Sequence, residues 1–189
     1  MKKKGCLIAI IIVVVLAISI YGYVKGKYNS FVQQQLDVEN NWAEVENQLK
    51  RRYDLIPNLV ETVKGYASHE KDVFTQVTQA RASVGQAETR QESIDANNQL
   101  TGALSRLLLT VEAYPELKAN QNFLQLQSQL EETEKFIANS RTLFNETAKN
   151  YNIYIKKFPK NFWSKLFGFN SIPYFESDKN THIVPKVIF

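Results

Sequence analysis

The sequence predicts an all-α protein: an antiparallel up-and-down four-helix bundle preceded by one transmembrane helix. Three observations predict it. Residues 6–24 read CLIAIIIVVVLAISIYGYV, without a charged side chain. From residue 31 to residue 84, mostly apolar residues recur at alternating steps of four and three, which places them on one helix face. Phe123, Leu130, Ile137, Phe144, Tyr151 and Phe158 then recur at every seventh position. Glycine and proline are scarce, 7 and 5 in 189 residues, which disfavours a turn-rich β fold.

The apolar run comes first. At ~1.5 Å per residue, residues 6–24 span roughly 28 Å as a helix, close to the ~30 Å hydrocarbon core of a bilayer. Residues 1–5 form a basic flank with Lys2, Lys3 and Lys4; Lys25 and Lys27 follow the run. Tyr21 and Tyr23 sit at its far edge, where aromatic rings favour the headgroup layer. The run is longer than a signal-peptide core and ends in Tyr-Gly-Tyr-Val-Lys rather than a small-residue cleavage site, so an uncleaved single-pass anchor in the cell membrane is expected. Three lysines before it against two after favour an N-terminus inside and a bundle outside the cytoplasm. The lone cysteine, Cys6, precedes the run, where a lipoprotein cysteine would follow it.

Residues 25–158 hold four helical stretches. The first carries Phe31, Val38, Trp42, Val45 and Leu49 on its seam. Its turn into the second lies at 54–57, where Asp54 would cap and Pro57 would occupy a first turn, or at 65–68, with Gly65 ending one helix and Ser68 capping the next. The seam keeps phase through both points; two long helices, with the turn at 65–68, are the preferred arrangement. The third stretch runs from about 90 to 114 and is closed by Pro115. The fourth runs from about 120 to 158. An even helix count returns the chain to the membrane side.

Several stripe positions are charged. Arg52 and Glu70 lie on the first seam, Glu134 and Arg141 one step from the aromatic heptad, and Arg81 and Glu112 flank apolar stripes. A carboxylate on a packed face needs a partner, so these six are expected to form interhelical ion pairs that set register. A carboxylate metal site is disfavoured: His69 and His182 are the only histidines, and neither follows a glutamate at Glu-x-x-His spacing. No phosphate loop, Gly-x-Ser-x-Gly or His-Glu-x-x-His motif is present, so no catalytic residue, cofactor or small-molecule substrate is expected. Asn145-Glu146-Thr147 matches a glycosylation sequon, but mid-helix.

The sequence pI is near 9.0, yet residues 25–155 contain 14 basic and 17 acidic side chains. Such a surface repels phosphate, and no nucleic-acid partner is expected. The positive charge lies at the two ends. In the tail, 159–189, Phe162, Trp163 and Phe167 are interleaved with Lys160 and Lys165. Phe162, Trp163, Lys165 and Phe167 are membrane-interface candidates; the same rings would equally cap the end of the bundle. The last stretch, 182–189, is short and apolar.

Taken together, these residues resemble the LemA family. The resemblance is carried by Tyr28 and Asn29, Trp42, LKRRYDLIPNLVETVKGYASHEKDVF at 49–74, Ala80-Arg81-Ala82, YPELKAN at 114–120, Asn122-Phe123-Leu124, Glu134, Arg141, Asn145, Phe158-Pro159 and Leu166-Phe167-Gly168-Phe169. It implies a membrane-anchored helical bundle of bacterial origin, without enzymatic activity. The function expected is a scaffold or protein-interaction module with protein partners of unknown identity. The alternative is a membrane-surface sensor or adaptor working through residues 158–169.

Overall fold

A computed structural model describes residues 2–175, with side chains from Ile10 onward. The basic side chains at 2–4, Cys6 and the stretch 182–189 lie outside the described residues. Six helices and no strand occur among the described residues: α1 (Lys2–Lys64), α2 (Lys71–Gln86), α3 (Arg90–Val111), α4 (Pro115–Lys118), α5 (Gln121–Lys156) and α6 (Lys160–Phe167). Two compact units share these helices. One comprises Met1–Asn40 with Glu146–Ile172, the other Asn41–Asn145 with Pro173–Phe189.

In the second unit a core joins Ile56, Leu59 and Val63 of α1, Phe74 and Val77 of α2, Leu100, Leu104 and Leu107 of α3, Leu117 of α4, and Phe123 and Leu130 of α5. The first seam is buried from Val38 through Val63. It then fails. Tyr66 is exposed, and Ala67 and Phe74 enter the core, whereas Val73 is only partly buried. The chain reverses here, at the later of the two sites the sequence allowed. Ala67 N–H donates to Val63 O, and Glu70 N–H to Ala67 O, in the connecting turn, and the seam resumes in α2, where Val77 and Ala80 are buried as spaced. Ser68 does not cap α2; Glu70 holds the N-cap position without a side-chain bond.

Two short helices extend the expected four. Glu112 ends α3, and Pro115 opens α4 rather than closing its predecessor, because a missing N–H costs nothing in a first turn. The YPELKAN run builds this corner. Leu117 is fully buried, Lys118 pairs with Glu112, and Asn120 caps α5 by accepting from Phe123 N–H at 3.1 Å. Asn120 also donates to Tyr66 Oη, and Tyr114 Oη donates to Glu70. Glu70, an expected ion-pair member, is thus engaged by a phenol. That carboxylate and the loss of solvent around the ring raise the Tyr114 pKa, with desolvation the larger cause.

The start of α3 carries a capping box. Thr89 Oγ1 accepts from Glu92 N–H, while the Glu92 carboxylate accepts from the N–H groups of Thr89 and Glu88. The backbone N–H groups of Glu88 and Thr89 hold the Glu92 pKa below its ordinary value. A depressed carboxylate pKa contributes stability above the unfolded value, and that contribution is lost as pH falls through the folded one. Thr89→Ala should cost about 1 kcal/mol in thermal unfolding at neutral pH. The cost should shrink in acid as Glu92 protonates; a pH-independent difference would refute the reciprocal cap.

Candidate functional site

The most constrained chemistry lies in the second unit, at Arg52. Its side chain is completely buried on α1. Nη1 donates to Glu134 Oε1 of α5 at 2.8 Å and to Thr101 Oγ1 of α3 at 2.9 Å. Nη2 donates to Asn97 Oδ1 at 2.7 Å and to the Asn97 carbonyl at 3.2 Å. One guanidinium on α1 therefore binds two other helices, a use that suits its planar, multiply donating geometry. Arg51, the preceding residue, pairs with Glu132 on the surface, where such a bridge contributes little.

The other candidates do not all form ion pairs among the described residues. Arg141 presents Nε and Nη2 without hydrogen-bond partners, and its guanidinium lies 4.0 Å from the Phe175 ring centre. Burial, reinforced by the nearby Arg52 cation and partly opposed by Glu134, brings its pKa down to about 10. Glu112 pairs with Lys118 across an exposed corner rather than between long helices.

Arg81 serves the backbone. Pro57 stands inside α1 and has no N–H to give the carbonyl four residues earlier, which belongs to Tyr53. Arg81 Nε reaches from α2 and donates to that carbonyl at 3.3 Å, while its guanidinium stacks 3.9 Å from the Tyr53 ring centre. The expected consequence is a coupling between distant positions. Arg81→Ala should cost about 1–2 kcal/mol in thermal unfolding. It should cost less in a Pro57→Ala background, where residue 57 regains an N–H for Tyr53. Additive losses in this double-mutant cycle would exclude the assignment.

An aromatic group completes this unit. Trp42 packs against Phe144 at 5.2 Å and Phe175 at 6.3 Å, and the Arg90 guanidinium lies 4.9 Å from its ring centre. Asn145 Nδ2 donates to Phe175 O, and Asn145 Oδ1 accepts from Phe175 N–H. The sequon asparagine is therefore occupied as a backbone clamp. The sequence reasoning missed Asn97, Thr101 and the clamping role of Asn145. Polar residues one or two turns from buried leucines were the available signal for the first two.

The first unit holds the interface candidates. Phe31 is buried against Tyr154 at 5.2 Å and stacks on Phe169 at 5.1 Å. Phe167 meets Tyr28 at 5.3 Å, and Trp163 stacks on Phe167 at 5.8 Å and meets Tyr23 at 6.2 Å. Trp163 and Phe167 are half-buried, whereas Phe162 and Lys165 face outward. Asn152 Nδ2 donates to Ile172 O, and Asn152 Oδ1 accepts from Ile172 N–H, a second clamp of the same design. Ser164 Oγ donates to Ile155 O at 3.0 Å and fixes α6 against the end of α5. Phe158, the last member of the heptad, is 87 % exposed because α5 ends before it.

The apolar part of α1 is uncovered. Every large apolar side chain among residues 10–16, with Ile18, Ile20, Tyr21 and Tyr23, is at least half exposed. The helix is long and apolar enough to cross a membrane.

Comparisons with known proteins give a consistent result. The sequence model of the LemA family matches residues 41–189. Magnetosome protein MamQ of Magnetospirillum gryphiswaldense is 25 % identical over 86 % of this chain and 70 % of its own length. Magnetosome protein MamQ 2 of Paramagnetospirillum magneticum is similar to the same extent. Protein LemA of Metamycoplasma hominis is 22 % identical over 87 % of this chain and 76 % of its own length.

Proposed function

The chain belongs to the LemA family, and from that premise we propose that it is a single-pass protein of the cell membrane whose helices act as a non-enzymatic scaffold. Residues 6–24 form the anchor. The four long helices form an antiparallel up-and-down bundle over 25–158, and the tail covers 159–189. The bundle lies outside the cytoplasm and offers its outer helix faces to protein partners.

The observation that carries this reading is the apolar stretch of α1, uncharged and exposed around its whole circumference. Leaving that many aliphatic side chains in water is costly, at ~25 cal/mol per Å² of apolar surface. A bilayer removes the cost. The polar clamp around Arg52 supports the scaffold part. It ties α1, α3 and α5 in one register, so the outward faces keep a fixed pattern. Leu109, 72 % exposed on α3, is a position from which a partner would be reached.

The test is photo-crosslinking in intact cells from Leu109 and, separately, from Leu124 on α5. A discrete adduct of defined stoichiometry, reproduced from one face and identified by mass spectrometry, supports the scaffold. Absence of any adduct from both faces overturns it. A second reading, a membrane-surface adaptor, is favoured by the position of α6 beside Tyr23.

A further inference from the structure

We infer that α6, with Phe158 two residues before it, forms an interfacial element that rests on anionic lipid headgroups beside the anchor. The inference rests on reading residues 6–24 as that anchor.

Position is the first argument. The rings of α6 and the following turn pack on α1 through Tyr23, Tyr28 and Phe31. The apolar run ends at Val24. From there to Phe31 is seven residues, or ~10 Å of helix. A headgroup layer is roughly 5–8 Å deep on each side of the hydrocarbon core. The rings of α6 therefore lie at headgroup depth and just beyond it.

Its two faces are the second argument. Trp163, Ser164 and Phe167 turn inward, and Ser164 is buried. Phe162 and Leu166, one helical turn apart, are 63 % and 62 % exposed, and Phe158 is more exposed still. Three large apolar side chains are left uncovered among the described residues, beside a helix that already needs a bilayer.

Charge is the third. Between Glu146 and Glu176 the sequence holds Lys149, Lys156, Lys157, Lys160 and Lys165 and no acidic residue. After the anchor, Lys25 and Lys27 precede the first acid, Asp37. Lys160 lies over the Tyr154 ring at 3.5 Å, while Lys156, Lys157 and Lys165 are exposed. Cations around protruding aromatic and aliphatic side chains match an anionic surface with an apolar layer below it. A soluble acidic protein would match the charge but would leave the apolar side chains at the depth of the lipid.

The experiment uses the full chain with Cys6→Ser and Leu166→Cys, labelled with an environment-sensitive fluorophore. The chain is reconstituted into nanodiscs of phosphatidylcholine, with or without phosphatidylglycerol. A control carries the label at Leu109→Cys. Alkaline extraction from vesicles is run in parallel to test the anchor by itself. In phosphatidylglycerol discs, the Leu166 label should be quenched by headgroup-bound lipid quenchers. Its quenching from water should be several-fold weaker than at Leu109. Each exposed lysine near such a surface is worth roughly a fivefold change in partitioning. The contrast should therefore fall in pure phosphatidylcholine and in Lys156→Gln/Lys157→Gln/Lys165→Gln. Equal water access at both labels overturns the proposal, as does shielding from both quenchers, which would mean protein contact. Lipid quenching that ignores phosphatidylglycerol and the lysines overturns the anionic part. Ready extraction of the chain would instead remove the anchor on which the inference stands.

Discussion

Arg52→Ala is expected to lower the unfolding free energy by about 3 kcal/mol, read as a fall in thermal midpoint by circular dichroism in detergent. Removing one member of a buried, hydrogen-bonded charge pair typically costs ~3–5 kcal/mol, most of it from the partners left behind. Here the abandoned groups differ. Asn97 is 1 % exposed, so its side-chain oxygen loses a donor that water cannot replace, whereas its carbonyl keeps the Thr101 hydroxyl. The Glu134 side chain is 39 % exposed and can rehydrate, which places the effect at the lower end of the range. Arg141 adds a further term. It is already desolvated, repelled by Arg52 and attracted by Glu134, with two nitrogens unpaired. Once Arg52 is gone, Arg141 can turn to the carboxylate and recover part of the loss. Arg52→Ala combined with Arg141→Ala should therefore be worse than the sum of the two single changes. Arg52→Lys should still cost about 1–2 kcal/mol, since an ammonium has one donor centre for partners on two other helices. A shift below about 1 kcal/mol for Arg52→Ala would show that the network fixes register without contributing stability.

Ile12→Asp with Val15→Asp should release the chain from the membrane. Each aspartate near the middle of a spanning helix costs roughly 2.5–3.5 kcal/mol of insertion free energy, so the pair costs about 5–7 kcal/mol. Ile12 and Val15 are 54 % and 56 % exposed on the isolated chain, so no internal packing is lost by the change. The measurement is resistance to alkaline extraction, with Ile12→Leu as the matched control. The double variant should appear in the supernatant while the control stays in the pellet. Equal retention of both would show that residues 6–24 are not what holds the protein at the membrane.

Most helices of this protein are readable as pattern. The step of four and three from Val38 to Val63 is buried as spaced, and so is the heptad from Phe123 to Tyr151. Both are local consequences of 3.6 residues per turn. The pattern misleads at two places where a helix stops. It runs on through Tyr66, although α1 ends at Lys64, and through Phe158, although α5 ends at Lys156. A short gap costs a heptad pattern nothing visible, because turn residues can fall on the repeat by accident. The capping box at Thr89 and Glu92 has Thr-x-x-Glu spacing, a signal that the reading of the third stretch did not use.

Charged positions were legible as buried or flanking, but their partners were not. Arg52 and Glu134 lie 82 residues apart and meet only because α1 and α5 are packed together. Arg81 was read as flanking an apolar stripe; its actual task arises from a missing N–H at Pro57 on another helix. Arg141 faces Phe175, a tail residue whose position follows from the Asn145 clamp.

By itself, the sequence determined the family, the helical class, the apolar segment and which faces are buried. Each of these depends on residue type and spacing along one helix, so no distant coordinate enters. Only the tertiary structure decided where α1 reverses, which carbonyl Arg81 serves, how one arginine ties α1 to two other helices, and which rings of α6 turn inward. Hydrogen bonds and ring contacts act over a few ångströms between side chains that the sequence separates by tens of residues. Only their arrangement in space shows which groups can meet.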